Sequence, residues 1–414
     1  MDRYRIIISA IVTAICYQSF GIGILVSLIP LYFISWNRKS LWLWGTIYMG
    51  GLHLFFFELS TFSNLPIAML LWLLTSVYYG LFYGFGGLLL YELHQRLKIS
   101  AALLLPVIWT LVEQLKSIGN YGNTNGNIGF ALSDIVQHLK FYAIAGNYAM
   151  GVVIVMINLL IAILYIKKQR TAGIIIAILI IMTIFFASPT EVSENKLSVN
   201  VIQTSIPQKL KMKQEHWQQL EENYLMALSS ATGNVIILPE TIIPNLIQRT
   251  PFFSQLKNVA EANNQTLLLG GFTKSDGFYN SALLIQPNEA TQIYNKQRLM
   301  PFGETLPLRT FLEKIVPAEL LFNDFDRGKT NKLFQIKNAT LSPLICLEGI
   351  YETFFHQSSA NIVTILANNA WFNQSTAGSK LKKFAQVHAA QFQVPVLLAA
   401  NYGQSAIFDF TGKP

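Results

Sequence analysis

The sequence is short of charge. Only 13% of its 414 residues are Asp, Glu, Lys or Arg, against roughly 25% in an ordinary globular protein. With 52% hydrophobic residues and a mean hydropathy of +0.39, a wholly soluble chain is excluded. Cysteine is scarcer still, with Cys16 in one half and Cys346 in the other. Two thiols so far apart make neither a disulfide framework nor a zinc site. His53, His94, His138, His216, His356 and His388 are scattered without metal-ligand spacing, so no metal or other cofactor is expected. A Gly-rich phosphate loop is missing, because Gly270-Gly271 is a lone pair. So is the basic stripe of a nucleic-acid binder. Up to Ser188 there are 11 basic residues against 5 acidic ones, and after it 19 against 17.

What the chain does have is apolar runs, at about 6–36, 41–59, 65–91, 99–115, 142–166 and 172–188. Each of the last five approaches the roughly 20 residues that a spanning helix needs. The first is longer and contains Gly21, Gly23 and Pro30, which reads as a tight hairpin of two spans, making about seven in all. On that count the basic clusters Arg3/Arg5, Arg38/Lys39, Arg96/Lys98 and Lys167/Lys168/Arg170 share one side. The positive-inside rule makes it the cytoplasm. A last crossing at 172–188 then delivers everything beyond about Ser188 to the outer face. Residues 1–190 are thus expected to form a polytopic α-helical membrane domain, without a cleaved signal peptide. Residues 191–414 are expected to be extracytoplasmic. Cys16 reads as a membrane-buried thiol and His53 as a core residue. Glu58 and Glu113 fall near the outer ends of their helices. Each reads either as a structural hydrogen-bonding group or as part of a lipid entrance.

From Leu197 the texture changes to short β-branched runs separated by amphipathic segments. Strands are predicted at 197–203, 234–238, 266–270, 281–286, 342–346, 361–367, 395–400 and 405–410. Helices are predicted at about 209–230, 251–263, 307–320, 349–358 and 378–392. Strands alternating with helices over about 220 residues indicate one α/β domain. Three polar residues lie just beyond apolar strands or beside Pro and Gly: Glu240 after Val-Ile-Ile-Leu-Pro, Lys296 within Tyr-Asn-Lys-Gln-Arg-Leu-Met-Pro-Phe-Gly-Glu304, and Cys346 after Ser-Pro-Leu-Ile. Strand ends are where α/β folds present site residues. Each has a plain alternative as a helix cap, a solvated lysine or a small core residue.

Together, Leu-Pro-Glu240-Thr, Tyr-Asn-Lys296 with Pro-Phe-Gly-Glu304, and Ile-Cys346-Leu-Glu348 resemble the Glu–Lys–Cys triad of the nitrilase, or carbon–nitrogen hydrolase, superfamily. With the polytopic half the resemblance narrows to its membrane-bound branch, the bacterial apolipoprotein N-acyltransferase family. Supporting phrases are Val201-Ile-Gln203, Ile206-Pro-Gln208, Ala367-Asn-Asn-Ala-Trp-Phe372 and Asn401-Tyr-Gly403. The resemblance implies an αββα sandwich in which Glu240 is the base, Lys296 the stabilising cation and Cys346 the nucleophile. It also implies that Glu304 and Glu348 line the site, orienting Lys296 or the incoming amine.

The implied reaction is ping-pong acyl transfer. A membrane phospholipid donates its acyl chain to Cys346 as a thioester, and the N-terminal amine of diacylglyceryl-cysteine in an apolipoprotein accepts it. The implied location is the bacterial cytoplasmic (inner) membrane, with the catalytic domain on the periplasmic side. Other readings of the same residues are thioester chemistry with another acceptor, as in an amidase or lipase, and a catalytically degenerate membrane scaffold. The chain departs from the family's phrases at Met212, Leu347, Asn369 and Leu381. It has no arginine between His388 and Asn401, Leu398 included, where the family's segment is Arg-rich. After Asp409-Phe-Thr-Gly-Lys-Pro414 the family's closing strand and last membrane helix are absent from the sequence.

Overall fold

The computed structural model describes residues 1–167, 197–307, 309–312, 324–337, 339–373 and 375–414. The expected span at 172–188 lies outside them. The chain divides into two compact units. One comprises Met1–Glu191 with Ser375–Gln393 and Asp409–Lys413, the other Val192–Gln374 with Val394–Phe408.

The first unit is helical: α1 (Asp2–Ser19), α2 (Ser40–Leu52), α3 (Leu65–Leu97), α4 (Ala101–Ser117) and α5 (Phe141–Lys167). Among the described residues, α3 and α5 are long and apolar enough to cross a membrane. The run 41–59 is α-helical only to Leu52 and continues as a 3-10 segment, Leu54–Thr61. After α1 the first run continues in short turns between Gly21 and Phe33 that lie back along α1. Ser9 donates to the Ser27 carbonyl at 2.9 Å and Arg5 to that of Phe33. A broken backbone in an apolar setting needs partners from elsewhere. Asn158 of α5 supplies two, accepting from the Leu28 N–H and donating to the Ile24 carbonyl, each at 2.9 Å. Small residues let α2 and α3 approach closely. A Cβ on Gly80 would stand 2.3 Å from the Thr46 hydroxyl, and one on Gly84 3.1 Å from Trp42. Glu113 is buried and accepts from Trp109 Nε1 (2.9 Å) and the Ile128 N–H (2.8 Å), a structural role that ties the following loop to α4.

A late helix, α8 (Thr376–Phe392), is counted with this unit. Phe384 packs on Phe130 with ring centroids 4.4 Å apart. Lys383 donates to the carbonyls of Tyr17 (2.8 Å) and Gln18 (3.1 Å), and Lys380 to that of Leu52. Those carbonyls are the unsatisfied C-terminal ends of α1 and α2, where cations are favoured.

The second unit holds two five-stranded sheets. The first has the order β1 (Val199–Val201), β2 (Val235–Ile237), β3 (Thr266–Lys274), β4 (Phe278–Ile285), β5 (Gln292–Asn295). The second runs β10 (Ala406–Phe408), β9 (Val396–Asn401), β8 (Ile362–Asn368), β7 (Ala339–Ile345), β6 (Phe334–Ile336). In each, three parallel strands are extended by antiparallel ones. Strand periodicity sorts the core. Val235 and Ile237 point between the sheets with Leu268, Leu284, Ile345, Leu366 and Leu397. Ile236 and Leu238 point the other way, against Leu220, Tyr224 and Leu228 of α6 (Trp217–Ser229) and Phe252, Phe253 and Leu256 of α7 (Pro251–Ala262).

Strands β5 and β6, of four and three residues, were not expected. The predicted helix 209–230 is broken into a four-residue turn Gln208–Lys211, a 3-10 turn and α6. Only Arg309–Leu312 of the helix predicted at 307–320 is described.

Gly270 of β3 lies against the turn after β2, which carries Glu240. A Cβ there would meet Glu240 Cα at 2.5 Å and the Thr241 nitrogen at 2.7 Å. Gly270→Ala is expected to cost about 1–3 kcal/mol. It should lower the thermal midpoint by several degrees and slow alkylation of Cys346; an unchanged midpoint would show that the turn can shift freely.

Candidate active site

The expected site residues gather at the C-terminal ends of strands. Glu240 follows β2, Lys296 is the first residue after β5, and Cys346 the first after β7. Asn368 and Asn401 end the adjacent strands β8 and β9 and are paired in register. Cys346 has φ +50° and Thr241, next to Glu240, also has φ +50°. Left-handed backbone in a non-Gly residue costs about 1–3 kcal/mol and concentrates at sites of function. It turns the Cys346 side chain out of the strand line while the thiol still packs at the edge of the inter-sheet core.

Lys296 is 1% exposed. Its Nζ lies 2.8 Å from Glu304 Oε2, 2.9 Å from Glu304 Oε1 and 3.4 Å from Glu240 Oε1. Burial by itself would strip this lysine of its proton, but Glu304, Glu240 and the neighbouring Cys346 together hold it well above its ordinary range. It is therefore an ammonium throughout the physiological range. Glu240 is fixed from both sides: Oε1 accepts from Asn280 Nδ2 at 2.8 Å, and Oε2 from the Asn368 N–H at 2.8 Å. The same Asn280 amide donates to Glu304 Oε1 at 2.6 Å, so one side chain bridges the two carboxylates. Glu304 Oε2 also accepts from the Met300 N–H at 2.8 Å. Cys346 is pushed up by burial and by the charge of Glu240, against the pull of Lys296 and the Asn368 N–H. At rest it is a thiol.

Glu348 takes a different place. It is fully buried, and Oε1 accepts from Tyr294 Oη (2.9 Å), the Gln297 N–H (2.6 Å) and the Arg298 N–H (3.1 Å). Oε2 accepts from the Ile345 N–H at 2.8 Å. The carboxylate thus clamps the loop carrying Lys296 to the turn carrying Cys346. Its four donors are main chain and a tyrosine, not Lys296 Nζ.

Asn280 was missed from the sequence because the strand there was started at Ser281. A buried Asn inside Phe-Tyr-Asn-Ser-Ala-Leu-Leu-Ile is the signal that marks it. Asn401, Asn368 and Gln208 form a further chain: Asn401 Nδ2 donates to Asn368 Oδ1 (2.9 Å), and Asn368 Nδ2 to Gln208 Oε1 (3.0 Å). Among the described residues no three His, Cys, Asp or Glu side chains are grouped to hold a metal ion.

Residues 198–414, which include every one of these groups, match the profile of the carbon-nitrogen hydrolase family. The chain belongs to the carbon–nitrogen hydrolases. Residues 9–160 match a second profile, that of the apolipoprotein N-acyltransferase N-terminal domain. The apolipoprotein N-acyltransferase of Aquifex aeolicus (strain VF5) is 27% identical, over 100% of this chain and 95% of its own. That of Pasteurella multocida (strain Pm70) is 28% identical, over 94% of this chain and 81% of its own. A solved CN-hydrolase superfamily protein from Xanthomonas campestris aligns with a TM-score of 0.41 at 17% identity, covering 53% of this chain and 84% of that one. The likeness to apolipoprotein N-acyltransferases read from the sequence is borne out over both halves.

In this carbon–nitrogen hydrolase burial pushes Glu348 up to about 7, against the Ile345 N–H and the Lys296 charge, from an ordinary 4.5. The folded carboxyl holds its proton to higher pH than the unfolded one. Its contribution to stability is full below the unfolded value and is lost as pH rises through the folded one. Glu348→Gln should therefore flatten the decline in thermal midpoint between about pH 5 and 7.5. The amide must also turn NH₂ toward a backbone N–H, which costs about 1–3 kcal/mol. Parallel pH profiles for the two proteins would remove the clamp from the account.

Proposed function

We propose that this carbon–nitrogen hydrolase is an N-acyltransferase of lipoprotein maturation, working through a Cys346 thioester. The observation that carries the reading is the buried Lys296 ammonium between Glu240 and Glu304, beside a cysteine at a left-handed turn, in a chain whose first half matches the N-acyltransferase N-terminal domain.

Glu240 takes the Cys346 proton as Sγ attacks the acyl carbonyl of a phospholipid. The new oxyanion is met by Lys296. The 3.4 Å contact to Glu240 is the longest of the three that hold this ammonium, and it weakens once Glu240 is neutral. That frees a donor when charge appears on the substrate. Collapse breaks the ester C–O bond, and Glu240 returns the proton to the lysophospholipid alkoxide. The α-amine of a diacylglyceryl-cysteine then attacks the thioester and loses a proton to Glu240. Cys346 leaves as the amide forms and takes that proton back. No metal or redox partner is needed for the balance.

Both substrates are lipid-anchored, which fits a sandwich attached to a polytopic membrane domain. The domain order is 1–190 for the membrane part and 191–414 for the αββα catalytic part. The distribution of the basic clusters supports a catalytic part on the periplasmic side of the bacterial inner membrane. A phosphatase reporter fused after about residue 290 should be active, and one fused near Lys98 inactive; the reverse pattern would overturn the orientation.

Acyl-enzyme trapping tests the chemistry. Full-length protein in detergent, given a phospholipid with a tagged acyl chain, should acquire a hydroxylamine-sensitive label. Cys346→Ser should acquire none, and Lys296→Met at least about 100-fold less, the scale of a lost oxyanion donor. Absence of label on the native protein across several phospholipids would end the catalytic reading. Label transfer to a diacylglyceryl peptide, and not to water, distinguishes the acyltransferase from a lipase.

A further inference from the structure

We infer that Lys211 is a positioning residue for this reaction: a second buried cation that anchors the Glu240 turn and sets a positive charge behind the base. The inference rests on the assignment of Glu240 as base and adds a group outside the triad.

Lys211 ends the short turn Gln208–Lys211 and is 0% exposed. Among the described residues its Nζ has one acceptor, the Glu240 main-chain carbonyl at 3.4 Å. The turn is fastened around it. Trp217 Nε1 donates to the Lys211 carbonyl at 2.9 Å. At the other end Gln208 accepts from the side chain of Asn368, whose N–H holds Glu240 Oε2. Both ends of the turn thus lead to Glu240, one through Lys211 and one through Asn368.

An ammonium buried with a single long hydrogen bond is an expensive way to fill space. A methionine would pack the same volume without that cost. The charge has a use only if something nearby benefits from it, and among the described residues the charge that acts on Lys211 is that of Glu240. Lys209 and Lys213, its neighbours in sequence, are exposed. Around Glu240 itself stand Lys296, Cys346 and Glu304. With Glu304 there, the base shares its pocket with a second carboxylate, and one ammonium serves both. A further positive charge behind the Glu240 turn adds to the field of Lys296 there. Burial lowers Lys211 to about 7, with Glu240 pulling the other way. It is therefore charged on the acid side of neutrality.

The test is the pH dependence of Cys346 alkylation by iodoacetamide, read by peptide mass spectrometry on the full-length protein in detergent. This readout needs no lipid substrate. Replacing Lys211 by Met or Gln should move the acid limb of the labelling rate upward by about one pH unit, and Lys211→Arg should restore the native limb. A structural lysine would lower the rate at every pH without moving the limb. An unmoved limb in a folded neutral variant, or an arginine variant displaced as far as the methionine one, overturns the proposal. So does failure of both neutral variants to fold, which would make Lys211 a residue of the fold alone. If the limb moves but the native protein forms no acyl-enzyme from phospholipid, the function proposed above fails and the coupling of Lys211 to Glu240 stands.

Discussion

A single buried ammonium sets the terms for the catalytic half. Lys296 is stripped of water, and a lone ammonium in that setting is several kcal/mol too costly to keep. It survives because two carboxylates are brought to it from separate elements, Glu240 from the end of β2 and Glu304 from the loop after β5. Those two anions would then repel each other, and Asn280 donates to both from one amide. Burial raises the Cys346 thiol, and the carboxylates of Glu240 and Glu304 add to that against the pull of Lys296. The cysteine beside this cluster is therefore a thiol at rest.

Strain and restraint are matched around that cluster. Cys346 and Thr241 both adopt left-handed backbone, each beside a group that must point into the site. Such geometry persists only where neighbours over-determine it. For Cys346 the restraint is Glu348, whose two oxygens gather donors from the residues flanking Lys296 and from Ile345, immediately before the cysteine. For Thr241 it includes the close approach of Gly270, whose missing Cβ leaves room for the turn. Glu348 is thus structural in action, while Glu304 bears directly on the ammonium.

Local pattern was enough to read the strands that end at Glu240 and Cys346, because each is an apolar run stopped by a polar residue. It was enough for α7 and α8, whose apolar faces repeat at helical spacing. It was not enough for β5 and β6, which are too short to show a period and owe their extension to pairing with β4 and β7. Glu304 and Glu348 were expected at the site from the resemblance, but their different surroundings depend on which main-chain N–H groups lie about them, and no spacing encodes that. Asn280 and Lys211 were unread for a related reason. Each looks like an ordinary polar residue until the fold buries it beside Glu240. The glycines and proline after α1 mark a break in the helix, whereas the partner that satisfies the broken backbone, Asn158, lies far along the chain.

The membership of α8 bears on how such a protein can be taken apart. The chain enters the sandwich, leaves it after β8 to supply α8 to the helical unit, and returns for β9 and β10. Lys380 and Lys383 cap carbonyls of α2 and α1, and Gln391 accepts from the Asn147 N–H at 3.1 Å beside the positive-φ Gly146. A fragment cut near residue 191 would carry away a helix that belongs to what was left behind, exposing Phe384 and His388 where Phe130 had covered them. Threading of this kind makes the two units poor candidates for exchange by simple fusion. It also implies that the helical unit finishes its packing only after most of the sandwich has been synthesised.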